Sequence, residues 1–448
     1  MLEEEKKEEL LALLSGKKYR ELKSQLVEMN EVDIASFIEE LDSEKTVVVF
    51  RMLPKELASE VFACLEVEQQ QHIITSITDN ELRAIIDDLY VDDAVDMLEE
   101  LPATIVRRVL QNSSPDTRKL INQFLNYPEN SAGSVMTAEY VGLKKNMTVE
   151  QAFDYIRKYG VDKETIYTCY VMDEKRRLEG VVTVKDLLMN DYAALMGDIM
   201  DPHVIKAYTT EDQEKVVETF NEYNLLSLPV VDGEDRLVGI ITVDDVMDVM
   251  EQEATEDFEK MAAMLPSEKP YLKTGVFQLA RNRIPWLMIL MLSSMVTGGI
   301  LLKYENAFSV IPLLVTFIPM LMDTGGNSGN QTSTLIIRGL ALGEITIKDY
   351  FIVLFKELRV SLICGTVLAV VNFLRLLIFG GATLPVYLVI CAALFCAVVA
   401  AKCIGCTLPI FAKLIHLDPA LMAGPMITTI VDALTLAIYF ALAHAFLL

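Results

Sequence analysis

A single carboxylate, Asp432, interrupts the apolar run GPMITTIVDALTLAIYF, twelve residues beyond Ala420, or roughly 18 Å along a helix. A carboxylate that deep in a bilayer costs about 2.5–3.5 kcal/mol and is normally turned to water, to a bundle interior or to an ion path. Lys402 is the basic residue at comparable depth that could neutralise it; otherwise a bound cation is the leading partner, with a hydrogen bond to a neighbouring helix as the alternative. A second anomaly is DTGGNSGNQTSTLIIRGLALGE, which follows Pro312 and Pro319. Gly325, Gly326 and Gly329 permit either local unwinding or very close helix approach. Asn327, Asn330 and Gln331 could then line a wet cavity; small-residue helix packing is the plainer reading of the same run.

The 448 residues carry 39 Lys and Arg against 64 Asp and Glu, a net charge of -25, yet 52% are hydrophobic. From Ile284 onward there are eight basic and seven acidic residues, so the first 283 hold essentially all of the excess acid. That balance argues against a nucleic-acid partner, which needs clustered Lys and Arg, and favours cations. Uncharged runs at 284–302, 307–322, 360–374, 384–401 and 433–448 extend into five spans of about 20 residues or more. Arg281, Arg283, Arg338, Lys348, Lys356, Arg359 and Lys413 flank one side, and Lys303 and Arg375 the other. The positive-inside rule then makes the N-terminus cytoplasmic in a multi-pass protein of the cell (inner) membrane. The start, MLEEEKKEELLALL, lacks a signal-peptide core. Cys403 and Cys406 form a C-x-x-C without a second pair, which suits helix packing better than zinc.

Two repeats organise the soluble part. Leu41, Leu65 and Leu89, and likewise Leu53, Ile77 and Leu101, recur every 24 residues, the signature of stacked helical hairpins. Residues 1–130 are therefore an all-α superhelical domain. In 131–250, GSVMTAEYV and GDIMDPHVI each open a unit that later reads strand, turn, strand, helix. Gly180, Thr183 and Asp186 of the first copy match Gly239, Thr242 and Asp245 of the second, although the first copy is five residues longer near Asp162. This resembles a tandem CBS (Bateman) module of α/β type. An acidic connecting helix over 251–283 follows, and then a membrane domain over 284–448.

GGNSGNQTSTLIIRGLALGE, DPALMAGPMITTIVDALTLAIY, the CBS pair with DRLVGIITVDD, and EATEDFEKMA together resemble the MgtE family of magnesium channels and transporters across essentially the whole chain. The resemblance implies a homodimer with a pore on its two-fold axis and inward Mg2+ movement. It places the pore metal at Asp432, helped by the backbone of Thr428. Mg2+ sheds water reluctantly and wants octahedral oxygen, so one carboxylate per subunit with carbonyls could hold a largely hydrated ion. The resemblance also carries regulatory metal sites onto Glu60, Asp92, Asp96, Asp212, Asp245, Glu253, Glu256 and Asp257, where cytosolic Mg2+ would bridge acidic faces and shut the pore. Asn224 stands where the family pattern has Asp, which weakens one such position. Asp186 and Asp245 occupy the place that often meets a ribose in CBS modules, so ATP is a candidate modulator.

Two other function classes fit parts of the sequence. A membrane-anchored nucleotide or metal sensor uses the CBS pair but has no need of Asp432. A rhomboid-like intramembrane serine protease would use Ser328 of Gly326-Asn327-Ser328-Gly329 with His444, which lie toward opposite ends of their spans. The chain is therefore expected not to be an enzyme.

Overall fold

The computed structural model describes residues 4–267, 271–272, 274–304, 311–379, 381 and 383–447, and it divides into two units, Met1–Val249 and Met250–Leu448. The first unit begins with α1 (Glu4–Ser15), α2 (Tyr19–Leu26), α3 (Glu31–Glu39), α4 (Ser43–Phe50), α5 (Lys55–Ala63), α6 (Val67–Ser76), α7 (Asp79–Ile86), α8 (Val91–Glu100), α9 (Ala103–Asn112) and α10 (Pro115–Phe124). The 24-residue repeat spans two helices. Leu53, Ile77 and Leu101 are buried in the turns between them, and Leu41, Leu65 and Leu89 sit just before α4, α6 and α8. Helices stack on the helix two along, α3 on α5, α5 on α7 and α7 on α9, because each buries its apolar face only against neighbours. Pro54 and Pro102 start α5 and α9, where a missing N–H costs nothing, and Thr78 with Glu81 forms a capping box on α7.

The CBS pair opens with α11 (Ala132–Val135) and contains two three-stranded sheets of the same topology. β1 (Val141–Lys144) runs parallel to β2 (Thr168–Met172), which is antiparallel to β3 (Leu178–Thr183); β4 (Ala207–Tyr208), β5 (Ser227–Val231) and β6 (Leu237–Thr242) repeat the pattern. Between them lie α12 (Val149–Tyr159), α13 (Val184–Met189), α14 (Met196–Ile199) and α15 (Gln213–Tyr223). The matched sequence motifs pack across the copies. Thr137 of the first opening exchanges backbone hydrogen bonds with Ile240 of the second sheet, and Asp201 of the second opening with Val181 of the first. A Cβ on Gly239 would meet Met136 and the Thr137 carbonyl, and one on Gly180 would meet Met200 and the Asp201 carbonyl. The paired glycines therefore serve the swapped openings.

The expected connecting helix differs from what is found. α16 (Val243–Met261) starts inside the second CBS copy and stops at Met261; Ala263 takes a left-handed φ of 54°, Pro266 follows, and Gly275 caps α17 (Val276–Lys303). Arg281 and Arg283 thus belong to α17, not to the end of a helix spanning 251–283, because Leu265-Pro266 and Gly275 break the helix between.

After a 3-10 segment (Pro312–Phe317), the second unit continues with α18 (Ile318–Ala341), α19 (Tyr350–Phe379), α20 (Leu384–Leu414) and α21 (Gly424–Leu447). Among the described residues four helical stretches are long and apolar enough to cross a membrane: 276–303, 347–379, 384–414 and 419–447. α18 is not among them, since Asp323, Asn327, Asn330, Gln331 and several hydroxyls dilute its apolar content. The expected run at 307–322 begins partly outside the described residues, and its helix starts at Ile318. No unwinding occurs at Gly325–Gly329: the run is continuous α-helix, and its glycines serve close packing instead.

Candidate functional site

α18 and α21 cross antiparallel at small residues. A Cβ on Gly325 would lie 2.7 Å from Thr435 Oγ1, one on Gly326 would lie 2.9 Å from Thr428, and one on Gly329 would lie 3.2 Å from Val431. On the other side of α18, a Cβ on Gly405 of α20 would collide with the Gly329 carbonyl oxygen. This crossing holds Asp432 half-buried, with Oδ1 enclosed and accepting no hydrogen bond among the described residues. A buried carboxylate oxygen without a partner carries an uncompensated desolvation cost, which a bound cation would offset. Thr428 donates its hydroxyl to the Gly424 carbonyl at 3.0 Å. Asn330 Oδ1 accepts from Gly424 N at 3.0 Å and so caps α21, whereas Asn327 and Gln331 are exposed.

Lys402 is engaged elsewhere. It is 6% exposed, donates to Thr332 Oγ1 at 3.2 Å and lies 3.9 Å from Glu357; Thr332 in turn donates to Glu357 at 2.9 Å. These three side chains tie α18, α19 and α20 together. Lys402→Met should destabilise the detergent-solubilised protein by about 3–5 kcal/mol, because it strands Glu357. Adding Glu357→Gln should recover most of that loss, and unfolding curves of the two singles and the double read the coupling. Ser328, the protease candidate, donates to the Thr324 carbonyl at 2.7 Å, a bond back onto its own helix.

The start of α21 meets the end of α16. Gly424 has φ 48°, and a Cβ there would run into the Met261 carbonyl, so glycine is required twice over. Met261 packs on Ile337, Ala420 and Ala423. Lys260 bridges Glu256 and Asp418, at 2.7 Å each; although burial opposes it, Asp418 and Glu256 hold its ammonium above the ordinary lysine range. Burial first, and Asp418 next, push Asp257 up to about 6. Gly424→Ala should lower the melting temperature of the full chain by several degrees, since a left-handed alanine alone costs about 1–2 kcal/mol; an unchanged melting temperature would contradict this contact.

The second acidic centre lies in the first unit. Asp92 is 9% exposed and its Oδ1 finds no partner among the described residues. Burial, then Asp93, Asp245, Glu164 and Glu139, push its carboxyl well above the usual range. Burial first and neighbouring carboxylates second also raise Asp93 to about 6, Asp96 to about 7 and Glu164 to about 7. Asp245 is raised by burial as well, against the pull of Thr242, whose Oγ1 donates at 2.7 Å. Asp93, Glu139 and Glu164 thus join Asp92, Asp96 and Asp245, the three positions that the sequence motifs mark.

Glu60 is exposed on α5, where partial burial and then Glu31 raise its carboxyl. Asp212 caps α15 by accepting from Glu214 N. Asn224 ends α15 in the left-handed region at φ 51°, a conformation Asn tolerates well. Asp186 closes a capping box with Thr183, and Glu253 is half-buried on α16. Among the described residues no three His, Cys, Asp or Glu side chains converge into a ready metal cage.

Comparison with known proteins places these features in context. Residues 318–442 match the profile of MgtE, divalent cation transporter; 29–130 match the MgtE intracellular N domain; 132–191 and 196–252 match the CBS domain. The magnesium transporter MgtE of Thermus thermophilus is 37% identical over 433 residues, covering 96% of this chain and 95% of its own. That of Bacillus subtilis is 30% identical over 438 residues, covering 98% and 96%. The crystal structure of the soluble part of a magnesium transporter matches with a TM-score of 0.54 at 30% identity, over 56% of this chain and 99% of that one. The cytosolic domain of the Mg2+ channel MgtE in complex with ATP matches at 0.51 and 39% identity, over 54% of this chain and 98% of that one.

Proposed function

The chain belongs to the MgtE family of divalent cation transporters, and from that premise we propose that it carries Mg2+ across the membrane and that its own acidic residues report cytosolic Mg2+ to the pore. The observation that carries the transport reading is Asp432: a carboxylate in the middle of an apolar helix, with one oxygen enclosed and unpartnered among the described residues. A homodimer bringing two such carboxylates together would hold a hydrated Mg2+ by outer-shell hydrogen bonds, with the backbone near Thr428 completing the ring and Asn327, Asn330 and Gln331 lining the approach. In this reading α18 is the fifth crossing, its polar face turned from lipid to the water of the pore, and the N-terminus is cytoplasmic.

Feedback follows from electrostatics. Asp92, Asp93, Asp96, Glu164 and Asp245 repel one another once ionised, so a divalent cation among them favours the arrangement that crowds them together. Glu253, Glu256 and Asp257, with Glu60 and Asp212, offer further weak sites. Moving a gate from 1:99 to 99:1 needs about 10⁴-fold preferential binding, which about four ions supply at roughly tenfold each. ATP, present in the related cytosolic structure, is proposed to bind the CBS pair beside Asp186 and Asp245.

The test is Mg2+ influx into proteoliposomes containing the purified full chain, with Mg2+ varied on each face. Gradient-driven influx that falls as Mg2+ rises on the cytoplasmic face is expected. A folded protein that passes no Mg2+ would refute the transport reading and leave the anchored sensor.

A further inference from the structure

Asp323 is a carboxylate on α18 that neither the polar motif around Asn327 nor the site at Asp432 accounts for. It is exposed, and among the described residues no side chain forms a hydrogen bond or ion pair with it. Asp323, Asn327, Asn330 or Gln331, and Thr334 recur at helical spacing, and all but the half-buried Asn330 are exposed, so they form one polar stripe down α18. In a membrane-embedded helix such a stripe cannot face lipid, because a carboxylate there carries a penalty of kilocalories.

The register of the crossing locates this carboxylate. Gly325 faces Thr435, Gly326 faces Thr428, and Asn330 faces Gly424, so rising numbers on α18 meet falling numbers on α21. Asp323 therefore lies at about the level of Thr435, three residues or about 4.5 Å along α21 from Asp432, on the side away from Gly424. The two carboxylates lie within electrostatic reach of each other, and Asp432 keeps an enclosed Oδ1 that accepts no hydrogen bond among the described residues.

We infer that Asp323 is a second cation-handling carboxylate of the pore, which receives the incoming hydrated divalent cation from the outer face and passes it to Asp432. The inference rests on the transport reading above. Two carboxylates in line per chain raise the local cation concentration at the outer mouth, and a cation at Asp323 repels the one held at Asp432, assisting its release inward. Asp323 thereby governs capture at low Mg2+, while Asp432 governs passage.

The experiment measures Mg2+ influx into proteoliposomes against external Mg2+ for the wild type, Asp323→Asn and Asp323→Glu, with each variant shown by size-exclusion and thermal unfolding to fold as the wild type does. Asp323→Asn should raise the Mg2+ concentration for half-maximal influx at least fivefold, lower saturated influx less than twofold, and weaken the ionic-strength dependence of capture; Asp323→Glu should restore capture to within twofold of wild type. A folded Asp323→Asn whose half-maximal concentration stays within twofold of wild type would overturn the inference. Absence of influx in the wild type would instead reject the transport reading on which it rests.

Discussion

Asp432→Asn yields a folded protein whose Mg2+ influx is at most about one-hundredth of wild type. Asparagine fills the same volume at the α18–α21 crossing, so the contacts of Gly325 with Thr435 and of Gly329 with Val431 survive. What is lost is charge. At an effective dielectric of about 20 and a separation of about 4 Å, one unit charge pair is worth about 4 kcal/mol, and each 1.4 kcal/mol is tenfold. Because Oδ1 is enclosed and unpartnered among the described residues, removing the ionised form should leave the empty protein as stable as the wild type or slightly more so. The measurement pairs proteoliposome influx with unfolding in detergent. Influx near wild type in a folded variant would remove Asp432 from the pathway, whereas lost influx with a collapsed melting temperature would mark a structural role.

The second large effect is a stability of the acidic first unit that falls with pH and is restored by Mg2+. Unfolded carboxylates titrate near 4, whereas burial and neighbouring carboxylates raise Asp93 to about 6 and Asp96 and Glu164 to about 7. Between those values the native state binds more protons than the unfolded state, so stability declines as pH rises from about 4 to about 7 and is lowest above 7. The facing groups are Asp92, Asp245, Glu139, Asp244, Glu99 and Glu100. Above pH 7 Mg2+ should take over the protons' role: at 100 times its dissociation constant one bound ion adds about 2.7 kcal/mol. The triple variant Asp92→Asn, Asp93→Asn, Glu164→Gln should be more stable than wild type at pH 8 without Mg2+, should gain little from Mg2+, and should keep conducting at cytosolic Mg2+ that closes the wild type. Calorimetry of the full chain across pH 5–8, with and without Mg2+, reads the first two; a triple variant that retains the wild-type Mg2+ shift would dismiss this cluster as the sensor.

Periodicity and register made much of this architecture legible. The 24-residue leucine spacing marked the helical stack, and the doubled Gly-Thr-Asp endings marked two like sheets, because both patterns are local consequences of burial. The swap of Met136-Thr137 and Met200-Asp201 between the copies stayed hidden, since nothing within one copy encodes which glycine its opening meets. Asp432 stood out because charge is rare in apolar sequence. Lys402 lies at a depth where it could neutralise Asp432, yet its partners Thr332 and Glu357 come from two other helices, and helix rotation is not written in a hydropathy run. Glu139 and Glu164 escaped for a similar reason: both look like ordinary surface acids until folding brings their charge within reach of Asp92. Asn224 ends α15 in a left-handed turn, a backbone requirement that residue spacing does not announce.

The Thr332–Glu357–Lys402 network bears on how the chain is made. Glu357 leaves the ribosome 45 residues ahead of Lys402, and each isolated charge costs a few kcal/mol to place within a bilayer. α19 therefore has reason to linger beside the insertion machinery until α20 delivers its counter-ion, and the two enter the lipid as a hairpin with their charges already matched. Protein truncated between Phe379 and Leu384 should consequently be extracted and degraded, whereas a chain ending after Leu414 should be retained in the membrane.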